Sequence, residues 1–140
     1  MLQLVRVAEA LPDGFPALQA EATAEGHRHM ARLADEFAAD PGVFVALLAA
    51  LEDGGLVGIG GITLEPADPS ALRMRRLYVA RAARRRGVAS ALANALLSEA
   101  LNHTRFVTVH AGNPGAASFW EALGYEPVSE RPWSHVFSTV

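Results

Sequence analysis

The 140-residue chain predicts an α/β fold with one parallel β-α-β crossover, on three observations. Apolar residues recur at period two in several short runs, and these alternate with stretches of helical periodicity. A strand, a helix and a strand follow one another between Ala71 and Ala111, over a connection far too long for a hairpin. No internal repeat or low-complexity linker interrupts the pattern, so residues 1–140 are expected to form one domain.

Each element has its own signal. "LQLVRVA", Leu2 to Ala8, alternates as a half-buried strand does. Helical periodicity follows from Phe15 to about Ala39, with Gly26 breaking it into two helices and Asp40-Pro41-Gly42 stopping it. "VFVALLAAL" is a buried strand, and "EDGG", Glu52 to Gly55, turns it into "LVGIGGITL" as a hairpin. Pro66 and Pro69 make "EPADPS" a loop, and Ala71–Val79 is the next strand. The helix from about Gly87 to Leu101 carries Val88, Leu92 and Leu96 on one stripe and Ser90, Asn94, Ser98 and Asn102 on another, so it should pack on a sheet. "RFVTVHA", Arg105 to Ala111, is a fifth strand. A short helix follows, with Pro114 in its first turn and Gly124 at its end, and "VFSTV" closes the chain as a strand.

Composition excludes several chemistries. With no cysteine there can be no disulfide, no Cys-ligated zinc and no cysteine acyl-enzyme. No apolar run approaches the roughly 20 residues of a membrane span, and the N-terminus lacks a signal-peptide pattern. A cytoplasmic protein with no membrane partner is therefore expected. All 12 basic residues are arginine, and seven of them lie between Arg73 and Arg86. A segment of +7 is thus embedded in a body of −10. The net acidity argues against a nucleic-acid partner, while the asymmetry suggests a small anionic ligand.

The anion has an evident place. Arg84, Arg85 and Arg86 stand against the start of a helix, whose amino end already carries about half a positive charge. Gly87 lets a ligand approach the backbone, and the amides of Gly87, Val88, Ala89 and Ser90 are donors that a helix leaves unpaired. Donors, dipole and arginines converge as at a phosphate site. The site is no nucleotide P-loop, because no Lys-Ser or Lys-Thr follows the glycine, and G-x-G-x-x-G is absent.

These residues resemble the GCN5-related N-acetyltransferases (GNAT). "RRLYVARAARRRGVASAL" is similar to the family's acetyl-coenzyme A motif, with Arg84, Gly87 and Ala89 at its core. "NPGAASFWEALGY" is similar to its second motif through Asn113, Ala116, Phe119, Gly124 and Tyr125. The resemblance implies a mixed, mostly antiparallel central sheet with one parallel crossover and a splayed strand pair that binds acetyl-CoA. It implies that the backbone of Leu77, Tyr78 and Val79 pairs with pantetheine, that Arg84 to Ser90 hold the pyrophosphate, and that Asn113 contacts pantetheine, with Phe119 and Trp120 beside it. It also implies an acetyl-CoA co-substrate, no metal, and an acceptor site lined by the region from Glu25 to Glu36. A homodimer is left open.

Two departures bear on mechanism. Many family members have a tyrosine at Trp120, where it protonates the departing thiolate; an indole N–H has no such acidity. The strand "ALRMRRL" presents arginines where some relatives carry a basic carboxylate, so no base is inherited. His110, at the carboxyl end of the fifth strand, is the first candidate base by its chemistry. Glu65 is the weaker one, and with Asp68 it is expected to be a solvated acid. His27 and His29, two residues apart, do not share a helical face for a metal and are expected to line the acceptor side. Ser90 and Ser118 have no base placed beside them. The expected reaction is direct acetyl transfer to a primary amine of a small molecule or peptide, the alternative being a non-catalytic acyl-CoA sensor.

Overall fold

Residues 1–140 are described by the computed structural model. Its centre is a hairpin of β2 (Phe44–Glu52) and β3 (Gly55–Leu64). Asp53 and Gly54 join them, both at positive φ (51° and 83°), as the tight turn favoured by twisted strands requires. β1 (Leu2–Arg6) pairs antiparallel with β2 on one side, and β4 (Ala71–Val79) pairs antiparallel with β3 on the other. β4 then pairs in parallel with β5 (Phe106–Val109). β6 (Glu126–Pro127) and β7 (His135–Ser138) complete a seven-stranded sheet in the order β1-β2-β3-β4-β5-β7-β6.

The sheet is mixed and mostly antiparallel, with the single parallel pair where the crossover was expected. The first strand is shorter than the alternation suggested, ending at Arg6. β6 is an addition: two residues, one of them a proline, give no alternation to read.

Helices cover both faces. α1 (Phe15–Ala24) and α2 (His29–Ala39) bury Phe15, Leu18, Met30, Leu33 and Phe37 against Leu47, Ile59 and Tyr78. α3 (Val88–Ala100) buries Val88, Leu92 and Leu96 against Leu48, Ile62, Leu72 and Met74 on the opposite face. The expected apolar stripe of α3 is thus the one that packs. β2 reads as an unbroken apolar run because Ala46, Leu48 and Ala50 join one cluster and Leu47 the other. The glycines of β3 let α3 lie close: a Cβ on Gly60 would stand 3.0 Å from Leu96 Cδ1. α4 (Pro114–Ala122) adds Trp120 to the α3 cluster.

One irregularity shapes the cleft. Ile59 opposes Tyr78 and Gly61 opposes Arg75, so β4 holds one extra residue in this step. Arg76 lies within the bulge at φ 60°, in the left-handed region. The bulge resets the alternation. Leu72 and Met74 face α3, Tyr78 faces α1 and α2, and Val79 returns to the α3 side.

Candidate active site

β4 and β5 stay paired only from Ala71↔Phe106 to Arg73↔Thr108. Beyond Arg73 they part, while β4 continues for six residues along β3. The Ala80 amide bonds to the Val57 carbonyl at 2.8 Å, and alternation along an antiparallel ladder therefore turns the backbone groups of Val79 away from β3, toward the gap. A cleft of about 1210 Å³ opens there, walled by β4, the end of β5, α4 and the start of α2.

The N-terminus of α3 stands at one end of this gap. Its first intrahelical bond runs from the Ala91 amide to the Gly87 carbonyl at 3.0 Å, and no side chain caps it. The amides of Val88, Ala89 and Ser90 are the helix's free donors. Gly87 sits at φ 80°, which L side chains rarely adopt, and a Cβ there would meet nothing within 4 Å. A second hollow of about 310 Å³ lies over this turn, lined by Val79, Gly87, Val88, Ala89, Ser90 and Phe119 among others.

The arginine run divides its work. Arg84 turns inward: its Nε donates to the Val79 carbonyl at 3.0 Å, and Nη2 donates to Glu25 at 2.6 Å and to the Tyr78 hydroxyl at 3.1 Å. Arg81 donates to the same Glu25 at 2.9 Å, and Arg86 pairs with Glu52 at 2.6 Å, outside the cleft. Arg85, at φ 64°, lines both hollows and forms no ion pair. Part of the anion implied by three successive arginines is therefore internal, and Arg85 is the one left facing the gap uncompensated.

Glu25, at the end of α1, is the hub. The Arg84 guanidinium, then the Tyr78 hydroxyl and Arg81, hold its carboxyl down at about 2, and Glu25 in turn raises Arg84 further. The Tyr78 hydroxyl lies 2.7 Å from Glu25 and 2.8 Å from Glu21, with one proton to serve them. Burial and these two carboxylates push its pKa far up, so Tyr78 is a fixed hydrogen-bond donor rather than a proton source.

On the other wall, Asn113 lines the cleft and caps α4, its Oδ1 accepting from the Ala116 amide at 2.8 Å while its side-chain nitrogen stays available. Phe119 and Trp120 also line the cleft, their rings edge to face at 4.9 Å. Trp120 packs in turn on Tyr125 at 5.1 Å. The Tyr125 hydroxyl is buried without a partner and is removed from the cleft.

Of the candidate bases, His110 lines the cleft, exposed just beyond β5. Glu65 is not the solvated acid expected. It is 3% exposed, and its oxygens accept from the Thr108 hydroxyl at 3.0 Å and the Ala67 amide at 2.8 Å, outside the cleft. Thr108 on β5 supplies the donor that permits this burial, a pairing across 43 residues with no local signal.

His27 and His29 both line the cleft, and their rings lie 5.0 Å apart. The argument from helical spacing fails because His27 precedes α2, and the broken helix brings the two rings to one side. Burial first, then the charges of His27, Arg76 and Arg32, hold His29 below the usual histidine range. His29, Arg32 and Glu36 are three and four residues apart on α2 and share a face. Both oxygens of Glu36 are taken by Arg76, at 2.9 and 2.8 Å, which ties α2 to the bulge.

No curated protein matches the chain. Solved structures match it in fold. One from Exiguobacterium sp. 255-15, with a provisional acetyltransferase assignment, is 22% identical over 99% of this chain and 93% of its own, with a TM-score of 0.89. A GNAT N-acetyltransferase of Escherichia coli in complex with CoA is 17% identical over 99% of this chain and 82% of its own, at a TM-score of 0.71. A GNAT acetyltransferase of Elizabethkingia anophelis with acetyl-CoA bound is 12% identical over 98% of this chain and 97% of its own, at 0.68. The model of the Acetyltransferase (GNAT) family matches residues 5–125, across the parted strands, the α3 turn and α4 alike. With that span matched, the chain belongs to the GNAT acetyltransferase family.

Proposed function

We propose that the protein is an N-acetyltransferase that moves the acetyl group of acetyl-CoA directly to a primary amine of a small molecule or peptide. The observation that carries the reading is the gap between β4 and β5 opening onto the uncapped N-terminus of α3. Free amides of Val88 to Ser90, the room over Gly87 and the unpaired Arg85 suit a pyrophosphate. The outward-turned backbone of Val79, with Leu77 and Tyr78 beside it, suits an extended amide-bearing arm. Asn113, Phe119 and Trp120 would form the opposite wall of its channel.

The acceptor nitrogen must first lose a proton, because an alkylamine with a lysine-like pKa of about 10.4 is almost wholly protonated at neutral pH. His110 is the proposed acceptor of that proton. The nitrogen lone pair then attacks the thioester carbonyl: a C–N bond forms, the C–S bond breaks, and the electron pair leaves on sulfur. The second proton, shed as the nitrogen becomes an amide, passes to the departed thiolate or to solvent. The Val79 amide is the proposed donor to the transient oxyanion. A thiol with a pKa of about 8.5 can leave as its anion, so Trp120 need supply no proton.

The test is paired. Calorimetric titration with acetyl-CoA should show binding that Gly87→Val largely abolishes, since a branched side chain is forced into the left-handed region against the phosphate site. Thiol release across a panel of amines should then reveal transfer. Undiminished affinity in Gly87→Val would remove the site, and tight binding without turnover on any amine would favour the acyl-CoA sensor instead.

A further inference from the structure

Three arginines line the part of the cleft that the phosphate reading leaves unused. Arg73 and Arg75 project from β4 before the bulge and Arg32 from α2, and all three line the same cavity as His27 and His29. None of them forms an ion pair, whereas their neighbour Arg76 is paired with Glu36 through its Nε and Nη2. The Nε of Arg75 is buried without a hydrogen-bond partner. At about 3.3 Å per residue, Arg75 lies about 13 Å along β4 from Val79, and Arg73 further still. The diphosphate at the α3 turn cannot also serve these groups.

Burying a guanidinium nitrogen with no acceptor, among other guanidinium groups, is unfavourable unless an anion completes the set. Burial and the charges of Arg73 and Arg76 indeed lower Arg75 from its ordinary value, with Glu36 and Glu65 compensating only in part. Arginine forks are matched to planar or tetrahedral oxyanions, which they hold through paired N–H donors. The bulge makes the arrangement: it brings Arg76 onto Glu36 and leaves Arg75 and Arg73 to the open cavity.

Resting on the acetyl-transfer reading, we propose that the acceptor is an anionic amine, carrying a carboxylate or phosphate that Arg73 and Arg75 bind, with Arg32 at the rim, while its amino group points toward the gap. Amines whose only other groups are cationic, such as polyamines and aminoglycosides, would meet like charge and be poor acceptors.

Matched pairs of acceptors test this: amino acids and dipeptides against their C-terminal amides, and aminoalkyl phosphates against the corresponding amino alcohols. In at least one pair the anionic member should have the higher kcat/KM by about tenfold to a hundredfold, and the arm that shows it tells carboxylate from phosphate. Arg75→Gln and Arg73→Gln should raise KM for that acceptor by a similar factor and raise KM for its neutral partner far less. Arg32→Gln, at an exposed position, should give a smaller rise and guards against misfolding of the other two. Equal kcat/KM within every pair, or a preference for polycations, would overturn the proposal.

A second readout does not need turnover. Calorimetric titration of the CoA-bound protein with N-acetyl amino acids and N-acetylaminoalkyl phosphates should show binding that their neutral counterparts lack and that Arg75→Gln removes. Arginine-dependent binding without any acetyl transfer would keep the anion site and refute the catalytic reading. Absence of binding by both anionic series would refute the anion site, whether or not transfer occurs.

Discussion

His110 illustrates how a single side chain is weighed by its surroundings. Nothing buries it or fixes its ring, yet it stands at the mouth of the cleft where β5 gives out. His29, on the opposite wall, is held below the usual histidine range by burial and then by its cationic neighbours. If His110 takes the amine's proton, His110→Ala should lower kcat by about 10²- to 10⁴-fold and leave acetyl-CoA affinity nearly intact. An unchanged kcat would return His110 to a surface role, and His29→Ala in the same assay would then be expected to show the loss.

At the level of elements, one contact that constrains the cleft joins the end of α1 to the turn leading to α3. Glu25 gathers Arg81, Arg84 and Tyr78, and through them the strand end and the 3₁₀ turn Arg81–Ala83. Its carboxyl titrates at about 2 in the folded protein against an ordinary 4.5, so the folded state binds fewer protons than the unfolded one between those values. The stability Glu25 contributes is then present above about pH 4.5 and is lost as pH falls toward about 2. Glu25→Gln should therefore lower Tm at neutral pH and flatten the dependence of Tm on pH across that window. A variant that melts like the parent at pH 7 and keeps its full acid slope would show that the ion pairs add nothing.

The elements themselves differ in how much of them the sequence discloses. α3 and its N-terminal turn were legible because every signal is local: the stripe of Val88, Leu92 and Leu96, the glycine before it and the arginines behind. The crossover was legible from segment lengths. What escaped depends on residues far apart in the chain. Arg84 reads as an uncompensated cation until Glu25, 59 residues away, is seen to pair with it. Glu65 reads as a surface acid until Thr108 is placed beside it. His27 and His29 read as divergent because the break at Gly26 was located but its geometry was not. The bulge at Arg76 has no glycine to announce it, since an arginine anchored by Glu36 occupies the left-handed position.

Across the whole molecule, a net charge of −3 conceals a positive seam in an acidic body. Arg32, Arg73, Arg75 and Arg85 give the cleft unpaired positive charge within low-dielectric walls, which should draw anionic substrates toward it. The Debye length falls from about 10 Å at 0.1 M salt to about 3 Å at 1 M, so KM for acetyl-CoA should rise steadily with added salt while kcat changes little. Steady-state kinetics over that range measures it, and a salt-independent KM would mean that short-range contacts alone set the affinity. No helix is long and apolar enough to cross a membrane.

The Glu25 hub also bears on how such a scaffold could diversify. The two helices that precede the central hairpin are a natural cassette to exchange when a new acceptor is wanted, because on the proposed reading His27, His29 and Arg32 line the acceptor side. In this chain the cassette also carries the carboxylate that neutralises Arg84 and steadies Tyr78, both of which belong to the other half of the cleft. A chimera built at residues 15–39 from a donor lacking an acid at position 25 would inherit a new acceptor wall together with an unanchored arginine beside the α3 turn. The two halves are therefore not independent modules, and restoring glutamate at that position in such a chimera should raise its Tm at neutral pH above that of the chimera without it.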